Sequence, residues 1–411
     1  MRTITNCRSC DSKDLEELLD LGEQRTSDFR EDDSLPPAYP IVGVICKECM
    51  LVQLKHTTPS SDMYHENYGF KSNVSDSIKD DLKDIVHHTI SFKDNPRTSL
   101  DIASNDGTLL SYTPQNAFRV GVDPIKFLCE EAKQHANLVI NDFFPVKEMP
   151  VVEFDVITSI SCFYDMDDPN AFVAGARDVL AEDGVWTIQQ NYLLPTMELG
   201  AIDNFCHEHL EYYTLLSLEP LLARHGLEVI DVQTSMVNGG SIRTIVAHKG
   251  AFPVQDSVEK QRTIEKDAKL DTLEPYKEFA AEADKNIKDL SHLVQGLVDK
   301  GKSVFILAAS TRGSTIWQAA GFDNELIDYA VERNPNKVGR YFSAIGVPII
   351  SEEEARERKP DYMICGPWFF SKEIIKREME YIYKGGAIIL PLPKLEVIDA
   401  GNISTYLQKS A

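Results

Sequence analysis

The chain has 411 residues, 43% hydrophobic and 26% charged, enough apolar material for two or three buried cores. A formal net charge of -23 repels phosphate backbones and anionic lipid, so neither nucleic acid nor a membrane is expected as a partner. The longest apolar runs, Val304 to Ala309 and Ala387 to Leu390, have strand length, and Met1-Arg-Thr-Ile-Thr-Asn lacks the apolar stretch of an export signal. A cytoplasmic protein is expected.

In chain order, residues 1–75 are turn-rich and carry Cys7-Arg-Ser-Cys10 and Cys46-Lys-Glu-Cys49. Each C-x-x-C turn aims two thiolates at one ion. Two such turns predict a tetrahedral zinc site with ligands Cys7, Cys10, Cys46 and Cys49. Four thiolates leave no open coordination position, so the expected zinc is structural.

Residues 76–255 open on a helical pattern, with Ile78, Leu82, Ile85 and Val86 at helical spacing. Strands follow at Ser99-Leu-Asp-Ile-Ala, Arg119-Val-Gly-Val-Asp, Phe154-Asp-Val-Ile-Thr-Ser-Ile and Gly184-Val-Trp-Thr-Ile-Gln, with helical stretches among them. This alternation predicts an α/β fold with a parallel, doubly wound sheet. Residues 256–300 are rich in Lys, Asp and Glu and read as a solvated helical connector. Residues 301–411 repeat the α/β pattern at Ser303-Val-Phe-Ile-Leu-Ala-Ala, Ile327-Asp-Tyr-Ala-Val, Tyr362-Met-Ile-Cys and Ala387-Ile-Ile-Leu, which predicts a smaller Rossmann-like domain.

The turn after the first central strand carries Asp101, Ala103, Asn105, Asp106 and Gly107. Small residues there let the backbone approach a ligand. Asp106 stands where a pyrophosphate loop avoids negative charge, and the G-x-G-x-x-G of nicotinamide enzymes is absent. Both points favour a zwitterion with an amine and a sulfonium, S-adenosylmethionine. Asp123, at the end of the second strand, can accept the ribose hydroxyls. Asp142 and Phe143, after the third, suit the adenine amine and ring face.

His207-Glu208-His209 is a dense titratable group in a chain with 10 histidines. An imidazole beside a carboxylate suits a general base; a metal site and ordinary structural histidines are the competing readings. Asn238, Gly240, Ser241 and Arg243 offer amides, a hydroxyl and a guanidinium to a polar substrate, or else form a Gly-Gly turn.

These residues, with the two cysteine pairs, Tyr68-Gly-Phe70-Lys71-Ser72, Ser104-Asn-Asp-Gly-Thr-Leu-Leu110, Ala308-Ala-Ser-Thr-Arg312-Gly313, Arg333-Asn-Pro-Asn-Lys337, Gly366-Pro-Trp368 and Gly385-Gly386, carry a resemblance along essentially the whole chain. The sequence resembles the nucleotide-sugar C-methyltransferases of deoxysugar biosynthesis, the family of the tetronitrose and mycarose C-3 methyltransferases. The resemblance implies a zinc-binding N-terminal domain, a class I S-adenosylmethionine methyltransferase domain and a C-terminal substrate domain. It implies that His209 is the base removing a proton alpha to a ketone, with Glu208, His207 and Tyr68 beside it. Lys71, Ser72, Ser310, Arg312, Arg333 and Lys337 are implied substrate contacts. Three departures from the family pattern are Cys206, where a tyrosine is usual, the loop Ser161-Cys-Phe163-Tyr164-Asp165-Met-Asp-Asp-Pro169, where a histidine is frequent, and Ala103, where a glycine is usual. O- or N-methylation of a nucleotide sugar or another polar metabolite is the alternative reaction, and a binding protein that retains the fold is the alternative class. Three lobes in one chain can complete a site, so a monomer is expected.

Overall fold

The computed structural model describes residues 1–63, 71–74, 76–147, 149–150 and 152–409. The chain folds into two compact units. The first comprises residues 1–17, 44–195 and 208–275; the second comprises 18–43, 196–207 and 276–411. The sequence pattern suggests domains as consecutive stretches. Instead, strands Leu15–Arg25 and Ala38–Cys46 lead the chain out of the first unit and back.

The first unit is organised by a seven-stranded sheet. In chain order its strands are β1 (Thr98–Ile102), β2 (Phe118–Val122), β3 (Leu138–Ile140), β4 (Phe154–Ile160), β5 (Leu180–Asn191), β6 (Leu227–Ser235) and β7 (Ser241–His248). The spatial order is β3-β2-β1-β4-β5-β7-β6. Strands β1 to β5 are parallel, and β7 runs antiparallel to both β5 and β6. The order reverses at β1, which opens a ligand crevice at the carboxyl ends of β1 and its neighbours. Helix Asp76–Ile90 covers this part of the sheet through Leu82, Ile85 and Val86, packed on Leu109. Each such side chain contributes about 1.5–3 kcal/mol by burial.

The second unit has its own sheet: β8 (Val304–Leu307), β9 (Tyr329–Glu332), β10 (Tyr341–Phe342), β11 (Val347–Ser351), β12 (Tyr362–Cys365), β13 (Ala387–Leu390) and β14 (Glu396–Ile398). The order β14-β13-β12-β8-β9-β11-β10 is completed at one edge by Phe29–Arg30. This order also reverses at the first strand, β8, as the Rossmann-like expectation requires.

Residues 256–300, expected as a solvated helical connector, form two helices, Asp256–Asp267 and Glu274–Val298, each with a buried face. The first buries Val258, Gln261 and Glu265, and the Glu265 carboxylate accepts from Leu215 N–H and Tyr192 Oη. The second buries Tyr276, Phe279, Ala283, Asn286, Leu290, Val294 and Leu297, a stripe at helical spacing. The charge density conceals this stripe in the sequence. Among the described residues, no helix is long and apolar enough to cross a membrane.

Gly107 begins helix Thr108–Tyr112 with φ 80°, and a Cβ there would sit 2.8 Å from the α-carbon of Ala132. Gly107→Ala is expected to cost about 2–4 kcal/mol through left-handed strain and backbone clash. A lower urea midpoint of the transition that unfolds the first unit checks this.

Candidate active site

The four cysteine sulfurs lie within 4.8 Å of one another. Cys7 Sγ and Cys49 Sγ are 3.6 Å apart, and Cys10 Sγ and Cys46 Sγ are 3.5 Å apart. A tetrahedron with Zn–S bonds of about 2.3 Å has S···S edges of about 3.8 Å, so the group fits one zinc ion. Gln53 Nε2 donates to Cys7 Sγ at 3.2 Å while Gln53 Oε1 accepts Arg8 N–H, which fixes the first turn.

Arg8, between those two ligands, has a side chain only 1% exposed. Its guanidinium donates to Leu54 O at 2.5 Å and Thr57 Oγ1 at 2.8 Å and stands 3.9 Å from the Glu211 carboxylate. Burial holds the Glu211 carboxyl well above the usual carboxylate range. Thr57 Oγ1 donates in turn to Asp167 Oδ1 at 2.8 Å. Thr57 and Asp167 both line the main cavity, so the zinc turn and the cavity wall share one hydrogen-bond network.

That cavity measures about 620 Å³ and lies at the carboxyl ends of β1, β2 and β4. The turn after β1 shapes it. Ala103, Asn105 and Gly107 have φ of 59°, 50° and 80°. The left-handed backbone at Ala103 is a conformation that glycine adopts more readily. Asp123 Oδ2 accepts Asn105 N–H at 2.9 Å and Oδ1 accepts Ile125 N–H at 2.8 Å. Each oxygen retains lone-pair capacity for a ribose hydroxyl. Burial raises the Asp123 carboxyl to about 6 and that of Asp101 to about 7, with the Thr158 hydroxyl opposing the shift at Asp101.

Ala103, Asn105, Asp123, Asp142 and Phe143 all line the cavity. Phe143 is 52% exposed. Asp101 lines a smaller recess. Asp106 and Gly107 do not line the cavity. Asp106 accepts from Thr108 N–H, Thr108 Oγ1 and Asn73 N–H, so its carboxylate secures local backbone. Asn105 Oδ1 likewise accepts Ser72 N–H at 3.0 Å, and Ser72 reaches the cavity wall. Lys71 is paired with Glu131 at 2.6 Å. Tyr68 lies outside the described residues.

The structure separates the residues of the His207-Glu208-His209 motif. His207, in the second unit, is buried, and its Nε2 is hydrogen-bonded to Tyr39 O at 3.2 Å. In the first unit, Glu208 and His209 are half-buried. The His209 ring meets Tyr164 edge to face at 4.5 Å. Leu210 N–H donates to Tyr164 O at 2.9 Å, and both Leu210 and Asp165 line the cavity.

Arg243 is not presented to a ligand as the sequence pattern suggests. Its guanidinium is buried against Asp81, Asp84, Gln189 and Gln233. Asn238 falls in the turn Val237–Gly239. Gly240, at φ 122°, packs where a Cβ would collide with Pro195, and Ser241 Oγ donates to Val237 O. This is the turn geometry of the competing reading.

The second unit has a cavity of about 490 Å³ at the carboxyl ends of β8 and β9. Arg333 lines it, with a side chain 71% exposed. Ser310, Arg312 and Lys337 do not line it. Ser310 Oγ caps helix Thr311–Ala319, Arg312 pairs with Asp203 at 2.8 Å, and Lys337 Nζ donates to Ala309 O at 2.9 Å. Burial pulls the Lys337 ammonium below its usual range. Sequence reasoning missed Asp165, Asp167 and Thr57 in the first cavity and Arg377 in the second. The Asp165-Met-Asp-Asp run was the available signal for the first of these.

Two outcomes follow from this geometry. Cys46→Ser is expected to lose the metal, worth about 10 kcal/mol or more in such sites, and to show no zinc by elemental analysis and a lower Tm. Ionised Asp123 is the better ribose acceptor, and protonation grows as pH falls through about 6. Affinity for S-adenosylhomocysteine should therefore fall about tenfold between pH 7 and pH 5. Calorimetry on Asp123→Asn should show weaker binding with a flatter profile.

Comparison with known proteins gives three successive domain matches. A zinc-binding domain family matches residues 7–64, a methyltransferase domain family residues 75–232, and the C-methyltransferase C-terminal domain family residues 236–393. C-methyltransferase NovU of Streptomyces niveus is 28% identical over 414 residues, covering 97% of this chain and 98% of that protein. Similar solved structures include the plantazolicin methyltransferase BpumL with S-adenosylhomocysteine (SAH), at 16% identity, 42% of this chain, 84% of that one and TM-score 0.34. Another is an S-adenosylmethionine-dependent methyltransferase from Clostridium acetobutylicum, at 14% identity, 43% of this chain, 94% of that one and TM-score 0.34. With the zinc-ligand geometry, the class I strand order and the three domain matches in register, the chain belongs to the S-adenosylmethionine-dependent methyltransferases that join a zinc-binding domain to a C-methyltransferase C-terminal domain.

Proposed function

We propose that this enzyme methylates a carbon of a keto-deoxy sugar nucleotide by way of an enolate. The observation carrying this reading is the placement of His209, packed on Tyr164 and followed by Leu210 in the wall of the donor cavity. His209 takes the proton from the carbon alpha to the ketone, and the freed electron pair delocalises onto the ketone oxygen. Imidazole suits this step near neutral pH, when its neutral form is abundant. The donor supplies an electrophilic methyl group on a sulfonium. The enolate carbon forms the new C–C bond as the C–S bond breaks and its electrons return to sulfur. The proton passes from His209 to solvent.

The surrounding residues have separate tasks in this scheme. Glu208 orients the imidazole or holds a sugar hydroxyl, and Tyr68 contacts the sugar. The acidic wall of Asp123, Asp142, Asp165 and Asp167 favours the cationic donor over its neutral product, which helps release. Arg333, in the wall of the second unit's cavity, is the proposed contact for the diphosphate. Arg312 and Lys337, already paired with Asp203 and Ala309 O, brace that region.

The similarity to NovU supports transfer to carbon. His209→Ala is expected to lower turnover by about 10³-fold or more while leaving SAH affinity within about twofold of wild type. Incubating the enzyme with a 4-keto-6-deoxy sugar nucleotide in deuterium oxide, without methyl donor, should exchange the proton alpha to the ketone. A His209→Ala variant with full activity would remove the base. Turnover without exchange would favour transfer to oxygen or nitrogen.

A further inference from the structure

We propose that Asp81, on helix Asp76–Ile90, binds the α-amino group of the methyl donor, and that Arg243 and Gln189 position it for that task. The inference rests on the donor reading of the main cavity and adds residues outside the nucleoside end.

A recess of about 50 Å³ adjoins that cavity and shares Ser72, Ala103, Asn105, Ile160 and Ser161 with its wall. The volume admits one small polar group. Asp81 and Asp101 face it from the helix and from β1. Ser104, 3% exposed, also lines it, and its hydroxyl has no hydrogen-bond partner among the described residues. A donor group entering the recess gives that hydroxyl a partner.

Charge selects the occupant. Arg243 is matched by Asp81 at 3.2 Å and Asp84 at 2.8 Å, whereas Asp101 has the Thr158 hydroxyl at 2.7 Å. The recess therefore retains excess negative character, which suits a monocation. The donor's α-ammonium is the compact cation that a nucleoside anchored at Asp123 can carry there.

The hold on Asp81 is specific. Gln189 Nε2 donates to Oδ2 at 2.5 Å and Arg243 Nη2 approaches Oδ1 at 3.2 Å. Arg243 Nε also donates to Gln189 Oε1 at 2.8 Å, closing the network. Both carboxylate oxygens are thus fixed before any ligand arrives, which reduces the ordering cost of binding.

Calorimetric titration with two ligands tests the assignment. SAH carries the amino-acid tail; 5′-methylthioadenosine keeps the nucleoside and sulfur without it. Asp81→Asn is expected to weaken SAH binding about tenfold or more and methylthioadenosine binding by no more than about twofold. Arg243→Lys, which keeps the charge and loses the fork, should show the same selective loss to a smaller extent. Equal losses for both ligands, or none for either, overturn the inference and leave the donor site standing. Wild type that binds neither ligand overturns the donor reading as well. If Asp81→Asn does not fold, the wild type still decides: deaminated SAH should bind about tenfold more weakly than SAH, and equal binding overturns the assignment.

Discussion

The backbone turn that follows β1 is the constraint on which the donor site depends. Within residues 103–107, three positions adopt left-handed φ, and two of these carry side chains. Such a conformation costs about 1 kcal/mol or more at each non-glycine position and persists because its surroundings fix it. Ser104 N–H donates to Val122 O, Asn105 N–H to Asp123, and the Asn105 and Asp106 side chains accept from Ser72 and Asn73. One turn therefore aligns the Asp123 carboxylate, the recess wall and the approach of residues 71–74. Relaxing it would displace all three.

The first unit concentrates carboxylates around its cavity and pairs the buried guanidinium groups of Arg8 and Arg243. Asp101 and Asp123 are destabilised by burial when ionised, and a positively charged ligand relieves that cost. Arg243 and Arg8 serve as internal counter-charges. Arg8 also joins the zinc turn to Thr57 and Asp167 in the cavity wall, so a metal with no open coordination position still bears on the shape of the site.

The second unit uses the same local device with different chemistry. Ala308, at φ 71°, follows β8 as Ala103 follows β1, and Glu332 ends β9 as Asp123 follows β2. Glu332 Oε1 accepts the Arg333 and Asn334 N–H groups, as Asp123 accepts those of Asn105 and Ile125. Both cavities open at the strand where the sheet order reverses, where diverging connections leave space above the sheet. Arg333 and Arg377 give the second cavity two guanidinium groups.

By itself, the sequence determined the zinc ligands, the strand-helix alternation of both sheets and the placement of Asp123, Asp142 and Phe143 after strands that end at the cavity. These depend on local rules: C-x-x-C spacing, apolar periodicity, and an acid at the end of a second strand. Tertiary structure decided what pairing and burial control. Arg243 and Arg312 are cations in sequence motifs, yet Asp81 and Asp203, more than a hundred residues away in each case, claim them. His207 and His209 are chemically alike and two positions apart, yet one packs on Tyr39 and the other on Tyr164. The helix Glu274–Val298 reads as solvated by composition and is buried along one stripe. A side chain's partner depends on which distant segment meets it, and no local pattern encodes that meeting.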